Sequence, residues 1–102
     1  MARQFEVFRT GAGILVVAVQ GNLLDGLRTR VVAPLLPVGA AGRPMVGVNP
    51  EVRFADAVYV LAPQLLATLT VAELGPPLGS VAHLREPIER AVGTVLGGAG
   101  GV

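Results

Sequence analysis

Residues 4–10 (Gln-Phe-Glu-Val-Phe-Arg-Thr) place β-forming apolar side chains in alternation with polar ones, and residues 14–20 return as an apolar run of strand length. Between them Gly11-Ala12-Gly13 supplies the tolerance of positive φ that a tight reversal needs, so the first twenty residues predict a β-hairpin. The alternation stops at Asn22. Residues 22–28 (Asn-Leu-Leu-Asp-Gly-Leu-Arg) put Asp25 before Gly26 and predict a connecting loop. Residues 30–36 resume a strand pattern, and Pro34, which has no backbone donor, suggests an edge position or a bulge. Residues 38–44 read as a loop, 45–48 as a short strand ended by Asn49-Pro50, and roughly 55–62 as a further strand. Pro63 suits the first position of a helical turn over 62–66, residues 69–74 mix strand and turn signals, and 75–79 form a loop.

From Arg85 the period lengthens. Ile88, Val92 and Val95 recur at spacings of four and three, Pro87 suits a first helical turn, and Glu86 and Glu89 lie near the positive end of the helix dipole. The spacing predicts a helix over 87–96. The glycines at 97, 98, 100 and 101 end it, at a cost of roughly 1 kcal/mol each relative to alanine. Residues 97–102 are expected to be a flexible Gly-rich tail. Short strands followed by one helix predict a mostly β fold, a small barrel or curled sheet with a C-terminal α-helix.

Composition changes the picture in three ways. A chain of 102 residues supports one domain, 1–102, with a modest core. It is 52% hydrophobic, with a mean hydropathy of +0.65, yet no apolar run approaches the 18 or more residues of a membrane span. With no basic leader followed by an apolar core, a cytoplasmic location is expected. All eight basic residues are arginines spread along the chain, and the net charge is +1. Neither direct nucleic-acid binding nor membrane association is favoured. So much apolar residue with so little charge argues instead for self-association or a protein partner, and a homodimer is expected through Ile88, Val92 and Val95. The absence of cysteine removes disulfides and thiolate metal sites, one histidine makes no metal site, and no cofactor is implied.

Several residues together resemble the CcdB family of toxins that poison DNA gyrase: the N-terminal Gln4-Phe5-x-Val7, then Val19-Gln20-x-x-Leu23-Leu24-Asp25, then Arg30-x-Val32-x-Pro34-Leu35, followed by Gly75, His83 and the C-terminal helix. The resemblance implies a homodimeric SH3-like barrel of the type shared by CcdB, MazF and Kid. It also implies a non-catalytic toxin of a type II toxin–antitoxin module. The dimer would engage the gyrase A subunit and stabilise its covalent cleavage complex, and a CcdA-like antitoxin with a disordered tail would neutralise it. The gyrase-binding positions it assigns are Leu23, Leu24, Leu96, Gly97, Gly98 and Ala99. Leu96, Gly97 and Ala99 stand where the family has phenylalanine, tryptophan and isoleucine.

The residues offer an alternative on the same barrel, a MazF-like endoribonuclease. Asp25, Arg28, Thr29 and Arg30 form the densest polar cluster, where an arginine with a nearby carboxylate could activate a ribose hydroxyl and stabilise a scissile phosphate, and His83 is a further candidate. Ordinary turn chemistry for Asp25 and solvation of a strand end by the arginines are favoured over that reading. His83 before the helix has a packing or hydrogen-bonding role as its default. A third possibility is a CcdB homologue that keeps its antitoxin and no longer poisons gyrase. The terminal glycines make no phosphate loop, because such a loop precedes a helix and this run follows one.

Overall fold

The computed structural model describes residues 2–24, 26–40 and 42–97. It contains seven strands, β1 (Glu6–Arg9), β2 (Leu15–Ala18), β3 (Thr29–Pro37), β4 (Glu51–Phe54), β5 (Ala57–Leu61), β6 (Ala67–Thr70) and β7 (Gly79–Ser80), with a short helix α1 (Val71–Leu74) and a longer one, α2 (Arg85–Val95). All the pairings are antiparallel, in the order β4-β5-β3-β2-β1-β7, with β6 also on β3. The sheet curls into a half-barrel and α2 closes it, as the strand and helix patterns predict.

Period two along the strands divides the interior. Val7 of β1, Leu15 and Val17 of β2, and Ala33 and Leu35 of β3 turn to one face, where they pack with Phe5, Val52, Leu61, Val81 and Ile88 of α2. Phe8, Val16, Ala18 and Val32 turn to the other, covered by Ala2 and Leu74. Successive strand residues face opposite sides, so a run such as Leu-Val-Val-Ala fills both clusters and is buried throughout.

Pro34 is on no edge. β3 pairs with β2 along one side, and on the other with β6 through Val32 and with β5 from Leu35. The N–H and C=O of a strand residue point to the same side. Pro34 O accepts from the Ala62 N–H, so the donor that proline lacks falls at the seam between β6 and β5, where no ladder bond is lost.

Two other segments depart from the expectation. Residues 45–48 are a turn: the Met45 N–H donates to Asn49 Oδ1, the Asn49 N–H returns to Met45 O, and Gly47 has φ 80°. Asn49 and a left-handed glycine thus override an apolar composition. The strand expected over 55–62 is β5, shortened to Ala57–Leu61, and it is the second arm of a hairpin whose first arm, β4, was not expected; the chain reverses at Ala55 and Asp56 with φ 51° and 64°. Positive φ at both central residues matches the twist of the flanking strands, and Ala-Asp carries that turn without the usual Asn-Gly signal.

Candidate protein-binding surface

Residues 22–24 form a single 3-10 turn with no buried side chain. Leu23 is fully exposed, and Leu24 and Leu27 are half-exposed. Packing cannot hold such a loop, and polar side chains do. Asn22 Oδ1 accepts the Gln4 N–H at 2.8 Å. Gln20 donates to Leu24 O at 3.4 Å and Thr29 O at 3.3 Å and accepts the Val31 N–H at 3.1 Å. The Leu24 N–H closes on Gly21 O and the Leu27 N–H on Leu24 O.

Gln4 joins this tip to α2. Its side chain donates to Val19 O at 3.2 Å and lines a groove of about 280 Å³ with Phe5, Val19, Ile88, Val92 and Gly93. Phe5 turns the chain there with φ 69°, a left-handed conformation rare for an aromatic residue. Burial of its ring, an N–H bond to Ala18 O and the Arg85 guanidinium 4.8 Å from the ring centroid hold it in place. One rim of the groove therefore leads to Leu23 and Leu24, and the other to the end of α2, where Leu96 is 68% exposed. Gly97 follows with φ 80° and donates to Thr94 O, the left-handed terminator of the helix. Gly98 and Ala99 lie outside the described residues.

The residues expected at a dimer contact have different surroundings. Ile88 is buried in the protomer's own core, Val92 packs partly against the same cluster, and Val95 is half-buried. Of the nuclease candidates, Arg28 and His83 are exposed, whereas Arg30 is 3% exposed and donates to the carbonyls of Ala2 (3.0 Å), Leu27 (2.6 Å) and Thr29 (2.9 Å). Asp25 lies outside the described residues. Among the described residues no group of His, Asp and Glu could hold a metal, and no helix is long and apolar enough to cross a membrane. Sequence reasoning placed Leu23 and Leu24 in a loop without fixing their exposure, and missed the burial of Arg30, whose partner Ala2 lies 28 positions away.

Solved structures that share this architecture include the following three. An endoribonuclease in complex with its cognate antitoxin from Mycobacterial species superposes with a TM-score of 0.79 at 20% identity, covering 95% of this chain and 96% of that one. An endoribonuclease from Mycobacterial species gives 0.78 at 20% identity over 93% and 90%. The Mycobacterium tuberculosis toxin MazF-mt6 gives 0.72 at 16% identity over 92% and 96%. The fold is that of the CcdB and MazF toxins. No curated protein matches the chain. The family model described as CcdB protein matches residues 4–98, and the chain belongs to that family of toxins.

These neighbours correct one expectation. The family resemblance implies a protein without catalysis, yet two of these three structures are of endoribonucleases. The architecture is compatible with catalysis, so a non-enzymatic character does not follow from it.

Proposed function

We propose that the protein is a toxin directed at the DNA gyrase A subunit, acting as a homodimer and neutralised by a CcdA-like antitoxin. Family membership supports the class, and the exposed tip at Leu23 and Leu24 is the observation that carries the target. Two adjacent leucines held in water by polar clamps have no part in the protomer's core, and apolar side chains presented this way suit a protein partner. The antitoxin is supported by the complex formed by the first structural neighbour.

The test is a gyrase cleavage assay with supercoiled DNA, stopped with detergent and protease. Linear DNA should accumulate with the wild-type protein and fall at least about fivefold with Leu23→Ser/Leu24→Ser, the loss that follows from truncating a contact worth more than about 1 kcal/mol. Linear DNA at wild-type levels from the double variant would remove the tip from the mechanism.

The shared barrel of the endoribonucleases favours a second reading, cleavage of RNA. Of its candidate residues Arg28 and His83 are accessible. Single-stranded RNA incubated with the purified protein separates the readings: discrete fragments, lost on Arg28→Ala or His83→Ala, would replace gyrase with RNA as the substrate.

A further inference from the structure

We infer that Arg30 is a positioning residue: its guanidinium ties the loop carrying Leu23 and Leu24 to the N-terminal segment, so that a partner meets a preformed apolar tip. The clause about the partner rests on the proposed function; the tie itself does not.

A guanidinium taken out of water is tolerated only when its donors are bonded. Here Nε reaches Ala2 O at 3.0 Å, while Nη1 reaches Leu27 O at 2.6 Å and Thr29 O at 2.9 Å. These acceptors belong to three different stretches: the N-terminal segment at buried Ala2, the loop, and the first residue of β3. Only a planar fork with fixed donor directions joins carbonyls so placed, and a lysine ammonium would hold fewer of them. Gln20 fastens the same loop from its other side and shares Thr29 O with Arg30. The leucines between these two clamps are exposed. The loop carbonyl that Arg30 holds therefore belongs to Leu27, whose side chain is half-exposed. Without the clamp, a partner would have to order the tip on binding, a cost that shows chiefly as faster dissociation. The bonds to Ala2, Leu27 and Thr29 direct Nε and Nη1 at the chain's own carbonyls, which gives this guanidinium a part in the architecture of the surface.

Amide hydrogen exchange on the full chain tests the tie without any partner. In Arg30→Met the amides of Leu24 and Leu27, which close the loop turns, should exchange at least about tenfold faster, as expected for loss of hydrogen bonds to a charged group. Val17 and Ala33, deep in the sheet, should keep their rates. Arg30→Lys should fall between wild type and Arg30→Met, and Arg28→Met should leave the loop rates unchanged. Unchanged loop amides in Arg30→Met, or core amides accelerated as much as loop amides, would overturn the inference. If Arg30→Met does not fold, Arg30→Lys decides: loop amides at wild-type rates would overturn it, and selective acceleration would uphold it. In a second arm, Arg30→Met should leave immobilised gyrase A about tenfold faster than wild type. Failure of the wild type to bind gyrase A would defeat the proposed target while the exchange result still decides the role of Arg30.

Discussion

Gly79 sits where β7 passes over the ring of Phe54. A Cβ built there would lie 2.8 Å from Cε1 and 3.1 Å from Cζ, closer than carbon atoms approach without something moving. Phe54 is partly buried and its ring has some room to tilt, so Gly79→Ala should cost about 1 kcal/mol and Gly79→Val, which adds more volume at the same point, about 3 kcal/mol. For a domain of this size each kcal/mol lowers the midpoint by roughly 4–8 °C, and thermal denaturation reads it directly. An unchanged midpoint in Gly79→Val would mean that β7 is not held against Phe54. Gly97 raises the opposite issue, since space is open but the backbone is special. Its φ of 80° would cost a side chain about 1–2 kcal/mol. The position at which the resemblance implies an aromatic residue is used here to end a helix.

At the scale of elements, α1 owes its four residues to a cap. Thr70 Oγ1 accepts the Glu73 N–H, and Glu73 Oε1 accepts from both the N–H and the hydroxyl of Thr70, at 2.8 Å each. Those bonds, the backbone one first, hold the Glu73 carboxyl below the ordinary glutamate range. A carboxylate with a depressed folded pKa stabilises above its unfolded value, about 4.3, and that contribution disappears as pH falls through the lower folded value. Thr70→Ala should cost about 1 kcal/mol near neutrality. Glu73→Gln should flatten the loss of stability on acidification, followed by denaturant melts at several pH values; an unaltered acid limb would discount the cap.

The elements also show what a sequence can carry. The first hairpin, β3 and α2 were legible because their side chains repeat with the period of the structure, and Gly11 and Gly13 announce their turn. The β4–β5 reversal was not, because nothing in Ala55-Asp56 declares two left-handed residues. Asn49 bonding back to Met45 likewise turns an apparent strand into a loop. For the site, an apolar pair beside Asp-Gly marked the tip in the sequence. Arg30 was read as an accessible charge, since burial on a distant carbonyl leaves no local signature.

For the whole molecule, the expected homodimer is tested by sedimentation. Ile88 is spent on the protomer's own core, which leaves Val95 and Leu96 at the end of α2 as the apolar side chains available to a second copy. Dimer should predominate at micromolar concentration, and Leu96→Glu should shift the equilibrium toward monomer by placing charge in an apolar contact. A wild-type protein that sediments as a folded monomer would exclude a binding surface shared between two subunits.

β3 is hydrogen-bonded along both sides, and its partners come from far down the chain: Thr29 meets Thr70, and Leu35 meets Leu61. During translation these residues wait. The sheet cannot close until the ribosome has passed residue 70, and the larger core lacks its cover until Ile88 has emerged. A chain that stops before β5 or β6 leaves one side of β3 with open donors and acceptors, and one that stops before α2 leaves the larger core uncovered. A stop codon anywhere before α2 would therefore yield an unfolded polypeptide for the cell's proteases instead of a smaller toxin.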